Sequence, residues 1–209
     1  MSGRTYGGAP LEQRRADRRE RLIAAGIELF GGAGYDATTV KAICDAANLT
    51  ERYFYEHFAT RLELLEAVFE QAVAITAERT FAAAVDSPAQ IEARVRAGLD
   101  GYLAALSDDP RIARIQLVEA IGRGERLEAR RFEVMREFAG AIEREAIALD
   151  DGSGSISARE HAVTLALVGA TNHLAAEWVR GELRMPRQAL LDALVALYLA
   201  AAELELPAD

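Results

Sequence analysis

The chain has a single cysteine, Cys44, in 209 residues. That excludes an internal disulfide framework and a multi-cysteine zinc site, and it fits a reducing compartment. Histidine is scarce as well, with three in all. His161 and His173 stand twelve positions apart and lack the i, i+4 spacing of a helical metal pair, so no metal site is expected. Only five prolines interrupt long runs of Ala, Leu, Glu and Arg, which leaves helix as the default nearly throughout and makes the expected fold all-α. No apolar stretch reaches the roughly 18 uncharged residues that span a bilayer. The opening "MSGRTYGGAPLEQRRADRRER" carries no apolar segment suited to secretion. A cytoplasmic protein with no membrane partner is the expectation.

Catalytic constellations are missing too. "GGAG" at 31–34 is not followed by the Lys-Ser/Thr of a phosphate loop, so it reads as a helix stop and implies no nucleotide cofactor. Cys44 falls on the apolar face of its helix while His57 points outward, which separates the one thiol from the nearest imidazole. The chain is expected not to be an enzyme and to need no cofactor.

What is present is a globular composition, 51% hydrophobic and 27% charged, with a net charge of −9. The charge is uneven. Residues 1–61 hold nine Arg or Lys against eight Asp or Glu, a balance of +1, which leaves −10 for the rest. Five of those cations, Arg14, Arg15, Arg18, Arg19 and Arg21, sit within eight residues. The acidic remainder argues against non-specific polyanion binding by the whole surface; the local strip reads either as a solvated helix face or as a flank to a nucleic-acid reading element.

Helical periodicity and caps organise the chain. Leu22, Ile23, Gly26, Ile27, Leu29, Phe30 and Ala33 recur at helical spacing from about residue 11, and Gly31, Gly32 and Gly34 end that helix. Thr38 or Thr39 caps a second helix with Val40, Ile43, Cys44 and Ala47 on its buried face. Asn48 and Leu49 make a tight turn, Asn48 tolerating the left-handed region, before Thr50 caps a third helix that stops near Phe58. Thr60–Glu63 is a capping box for a fourth helix to about 82. Ser87–Pro88–Ala89–Gln90, Asp109–Pro110 and Ser157–Glu160 start helices at 88–106, 110–121 and 158–182; "GRG" at 122–124 breaks the chain before 125–149, and the last helix covers 187–205. "DDGSGS" at 150–155 is the one expected linker.

The ten residues "LTERYFYEHF", 49–58, carry the chemistry. In a helix-turn-helix the second helix lies in the major groove, so its inner face is apolar while its outer face reaches bases and phosphates. Leu49, Phe54 and Phe58 suit the inner face and leave Glu51, Arg52, Tyr53, Tyr55 and His57 outside. Arg pairs bidentately with guanine, Glu accepts from cytosine, and tyrosine or imidazole donates to phosphate oxygens.

Residues 18–69 resemble the N-terminal DNA-binding domain of the TetR (tetracycline repressor) family of transcriptional regulators. The resemblance rests on the "ELF" end of the first helix, the "GYDATTV" entry, the "AANLT" turn, the aromatic "YFYEHF" and the basic start of the fourth helix. It implies an N-terminal three-helix helix-turn-helix domain, 1–61, with residues 1–10 a flexible arm. It also implies a helical ligand-binding and dimerisation domain at 62–209. The implied activity is repression from a palindromic DNA operator, relieved when a small-molecule effector binds the C-terminal domain. By the resemblance Thr39 contacts a phosphate, Thr50, Glu51, Arg52 and Tyr53 face bases or backbone, Tyr55 and His57 hold phosphates, and Arg61 replaces the family's usual lysine. Two departures stand out: Glu51 and Arg52 occupy positions where Lys-Gly is frequent, and Ala59 replaces a common proline or glycine.

The regulatory half is less legible. Residues 162–180 are apolar nearly all round, and the final helix carries a wide stripe of Leu190, Leu194, Leu197 and Ala201 beside Leu191, Val195, Tyr198 and Ala202. Either the helices at about 158–182 and 187–205 form a homodimer seam, or they are a core pair inside a monomer. Candidates for a largely apolar effector pocket are Tyr102, Gln116, Glu119, Phe132, Met135, Phe138, Asn172, His173 and Trp178, with core or interface packing the competing reading for each. The rival to a DNA-binding regulator is a helical dimeric interaction module that has lost sequence-specific DNA binding.

Overall fold

The computed structural model describes residues 11–150 and 154–204; the expected arm at 1–10 and residues 151–153 of the expected linker at 150–155 lie outside the described residues. The fold is all-α: α1 (Leu11–Gly32), α2 (Val40–Ala47), α3 (Glu51–Tyr55), α4 (Arg61–Val85), α5 (Ile91–Asp108), α6 (Pro110–Arg114), a π-helical turn (Ile115–Glu119), α7 (Glu125–Asp150), α8 (Ala158–Val179) and α9 (Arg187–Ala202). The chain divides into two compact units, Met1–Val68 and Phe69–Asp209.

In the first unit α1, α2, α3 and the start of α4 surround Leu22, Phe30, Ile43, Phe54, Leu64, Leu65 and Val68, all fully buried. At Gly26 α1 lies close against α4: a Cβ there would meet the Val68 side chain at 2.6 Å. Only Gly34 of the three helix-stopping glycines takes a positive φ, 96°. Thr38 is buried and its hydroxyl donates to the Gly34 carbonyl at 2.7 Å, which leaves Thr39 as the α2 cap, accepting from the Ala42 amide. At the α4 start the Thr60 hydroxyl accepts from the Glu63 amide at 3.1 Å, while the Glu63 carboxylate reaches one residue further back than a standard capping box, to the Ala59 amide at 2.6 Å.

In the second unit α5 and α9 share a core of Leu99, Tyr102, Leu103, Leu106, Leu190, Leu191, Leu194, Val195 and Tyr198, closed by Ala113, Leu117, Ala175 and Ala176. Ser157 and Glu160 form the expected capping box, and Asp109 caps α6 with Pro110 in its first turn. Three expectations need correction. The helix expected from Pro88 starts at Ile91, because the Ser87 hydroxyl turns back to the Ala84 carbonyl at 2.7 Å and finishes α4. The helix expected over 110–121 is α6 followed by the π turn, whose wider ring, with the Ala120 amide on the Ile115 carbonyl, lets Gln116 and Glu119 both turn inward and lie buried. The helix expected to reach 182 ends at Val179, since Gly181, at φ 76°, turns the chain and its amide bonds the Trp178 carbonyl.

The outer faces of α8 and α9 stay uncovered in the single chain: Ala162, Ala166 and His173 on α8, and Ala193, Ala196, Leu197 and Ala200 on α9, are exposed. Among the described residues no helix is long and apolar enough to cross a membrane.

Two glycines of α5 provide a matched test of packing against α4. A Cβ on Gly101 would sit 2.5 Å from the Arg79 carbonyl oxygen, whereas one on Gly98 would meet Ala84 at an ordinary 3.6 Å. Gly101→Ala is expected to lower stability by about 1–3 kcal/mol, and Gly98→Ala to leave it unchanged or raise it by up to about 1 kcal/mol through helix propensity. Urea midpoints of the two variants check the pair.

Candidate nucleic-acid interface

The interface is built around one tight turn. Asn48 ends α2 at φ 51°, ψ 51°, and among the described residues no other non-glycine residue takes a positive φ. Its amide bonds the Asp45 carbonyl, and the Leu49 amide bonds the Cys44 carbonyl at 2.9 Å. The Arg21 guanidinium then donates to the Ala47 and Asn48 carbonyls, the free C-terminal acceptors of α2. A cation from α1 therefore ties down the turn that aims α3.

Five residues are too few for a helix to be stable in isolation, and α3 is held by its rings. Phe54 is 0% and Phe58 4% exposed, with ring centroids 6.0 Å apart. Leu49 is half-buried, completing the inner face. The remaining side chains project as the two-faced pattern requires: Glu51 and Arg52 are exposed, and Tyr55 is 57% exposed with its ring edge on Phe54. Thr50 holds the N-cap position in extended backbone, but its side chain makes no cap hydrogen bond. The Arg52 side chain, 85% exposed, pairs with Glu56 one turn on at 3.2 Å, a pairing worth little at the surface and easily exchanged for a base edge.

Tyr53 and His57 are half-buried. Arg18 lies over the Tyr53 ring at 4.4 Å and Arg19 over the Phe58 ring at 5.4 Å. Burial, then the charges of Arg15 and Arg18, push His57 below its usual range; Glu56 opposes them and Arg19 adds to the lowering. Burial pushes the Cys44 thiol up, helped by Glu51 and Asp45, so it is held as an unreactive thiol. Cys44, Asp45, Asn48, Leu49, Thr50 and Tyr53 line a shallow groove beside the turn.

Arg61 does something that its charge alone does not suggest. Its guanidinium donates to the Tyr35 and Thr38 carbonyls and lies over the Tyr35 ring at 4.7 Å. The first residue of α4 thereby locks the segment that carries Thr39, whose exposed hydroxyl accepts from the Ala42 amide and keeps its own proton for an outward acceptor. Sequence reasoning counted Arg18, Arg19 and Arg21 as charge only and missed their contacts; the available signal was their i, i+1, i+3 placement on a helix whose apolar face begins at Leu22.

The effector candidates separate into several places. Tyr102 is buried and hydrogen-bonded to Asn172; burial pushes its hydroxyl well up, and the Asn172 bond opposes this. Nearby in sequence, Thr171 bonds Tyr198 at 3.2 Å. Gln116 donates to the Thr76 hydroxyl at 3.1 Å, a partner that sequence reasoning missed, and buried Glu119 receives Arg114 at 2.9 Å. Phe138 stacks on Phe81 with centroids 5.3 Å apart, Met135 is half-buried, and the Trp178 indole donates to the Met185 carbonyl at 3.0 Å. Phe132 and His173 are exposed. Among the described residues no group of three His, Cys, Asp or Glu could hold a metal.

Residues 22–68 match the model of the family described as bacterial regulatory proteins, tetR family. Over 61 residues the chain is 41% identical to the HTH-type transcriptional regulator TcmR of Streptomyces glaucescens, covering 29% of this chain and 27% of that protein. It is 37% identical over 59 residues to the HTH-type transcriptional activator FasR of Mycolicibacterium smegmatis, covering 28% of this chain and 27% of that one. The match therefore spans about a quarter of the length of these curated relatives. Beyond that stretch the likeness is one of fold: the transcriptional regulator FadR of Bacillus subtilis, solved in complex with stearoyl-CoA, superposes with a TM-score of 0.71 at 16% identity, covering 87% of this chain and 98% of that one.

The left-handed turn yields a direct test. Asn48→Ala is expected to cost about 1 kcal/mol, since alanine pays the left-handed penalty in full, while Asn48→Gly stays within a few tenths. Thermal unfolding of both variants checks this, and equal losses would contradict it.

Proposed function

We propose that this chain is a member of the TetR family of bacterial regulatory proteins, a transcriptional regulator that represses from a palindromic operator until a small molecule binds its C-terminal domain. The observation that carries the reading is the division of α3, whose inner face is sealed by Phe54 and Phe58 while Glu51, Arg52 and Tyr55 stand exposed beyond a fixed two-residue turn. A helix so short and so firmly anchored presents its outer face in one orientation, which base readout in the major groove requires.

On this reading the DNA-binding domain is 1–61 and the regulatory and dimerisation domain is 62–209. Arg52 reads a guanine, Glu51 a cytosine, and Thr39, Thr50 and Tyr55 hold phosphates around them. Arg61 serves the site through the backbone it clamps. Tyr102 with Asn172 and Gln116 with Thr76 are the polar pairs that an otherwise apolar effector would meet inside the C-terminal domain. Because a protein of similar fold, FadR of Bacillus subtilis, was solved in complex with stearoyl-CoA, a long-chain acyl-CoA is the first effector to try. The uncovered faces of α8 and α9, rich in alanine, suit close packing against a second copy, with His173 at the seam.

The test is selection of bound duplexes from a random pool at low salt, repeated with acyl-CoA present. An enriched palindrome is expected, and its absence at low salt without effector contradicts the reading. Arg52→Ala should then cost about 1–3 kcal/mol and relax one position in each half-site, while Tyr55→Phe weakens all sites about equally. Sedimentation should find a dimer that Ala196→Arg drives towards monomer; a wild-type monomer at micromolar concentration would remove the seam.

A further inference from the structure

We infer that Arg15, Arg18 and Arg19 of α1, together with His57, form an oxyanion site that seats one backbone phosphate of bound DNA beside the reading helix. The inference rests on the DNA-binding reading above and adds a contact from outside the helix-turn-helix, with a proton coupled to it.

Three observations meet at this place. Arg18 and Arg19 are fastened over the rings of Tyr53 and Phe58, so two guanidinium groups are fixed against the inner and lateral surfaces of the reading segment. Exposed Arg15 lies close enough to His57 to act on it by its charge, as do Arg18 and Arg19, and Glu56 is the acidic group that opposes them. That carboxylate is itself engaged by Arg52. Finally, Arg18 Nε and His57 Nε2 are both shut off from water and have no hydrogen-bond partner. Buried polar atoms are nearly always satisfied, and two orphans in one cationic cluster call for a missing acceptor. An oxyanion supplies it. It pairs with the guanidinium groups, and one oxygen accepts from the imidazole after a small side-chain adjustment.

A phosphodiester of the duplex is favoured over a free anion because the cluster borders α3, whose outer face is the proposed groove-facing surface. The charge bookkeeping then has a definite sign. In the free protein burial and the charges of Arg15, Arg18 and Arg19 lower the proton affinity of His57, against the opposing charge of Glu56. A phosphate brings negative charge to the same spot, so a proton from solvent settles on the imidazole when DNA binds. The complex holds more protons than the free protein, and affinity must fall as pH rises through the histidine range.

The test follows the His57 ring proton by NMR in the full chain between about pH 5 and 8, assigned by its loss in His57→Gln. Three samples are compared: protein alone, with inorganic phosphate at matched ionic strength, and with the selected duplex. The duplex is expected to move the His57 midpoint to higher pH and inorganic phosphate to leave it in place. Arg15→Gln should shrink that shift and lower the slope of log affinity against log salt by about 0.9. A midpoint unmoved by duplex, with the Arg15→Gln slope equal to wild type, overturns the site while leaving the regulator reading intact. A midpoint moved equally by inorganic phosphate overturns its assignment to DNA. If the wild type binds no duplex at all, the regulator reading itself fails, and this site with it.

Discussion

Everything proposed for this protein depends on the burial of Phe54. The residue is fully excluded from solvent in a helix of five residues, which has no stability of its own. Truncating such a side chain costs about 3–5 kcal/mol, more than the short helix gains from its few hydrogen bonds. With Phe54 and Phe58 seated, the 100° advance per residue leaves Glu51, Arg52 and Tyr55 no choice but to face outward. The residues that would read DNA are thus positioned by residues that never touch it.

Around that anchor, the arginines serve as fasteners as much as charges. Arg21 caps the carbonyls at the end of α2, Arg61 clamps those at 35 and 38, and Arg18 and Arg19 cover rings of the reading segment. Each of these planar groups satisfies backbone acceptors or aromatic faces and keeps unused N–H groups for an anion. The first unit can therefore be nearly neutral overall and still present a cationic surface where it matters, while the excess acid lies in the second unit.

Much of this was legible because it is local. The apolar spacing of Phe54 and Phe58, the Ser157–Glu160 box and Asp109–Pro110 are decided within one turn of chain, and each formed as read. Ser87 was misread because a serine hydroxyl next to a helix end can bond forwards or back, and here the Ala84 carbonyl won. The π turn was invisible because it depends on burying Gln116 against Thr76, forty positions away. Arg61's clamp on the Tyr35 carbonyl spans twenty-six positions and was hidden for the same reason. The lysine-like role assigned to Arg61 by resemblance took account of its charge and not of its planar fork.

In the second unit the Gln116–Thr76 and Thr171–Tyr198 pairs are satisfied within the chain, and the outer faces of α8 and α9 carry exposed alanines. The central claim concerns the first unit, and backbone amide exchange of the full chain with and without the selected duplex tests it most directly. Slowed exchange is predicted at 39–41 and 50–57 and along the arginine-bearing turns of α1. Slowing confined to 69–209, or none anywhere, would contradict a DNA-reading surface built on α3.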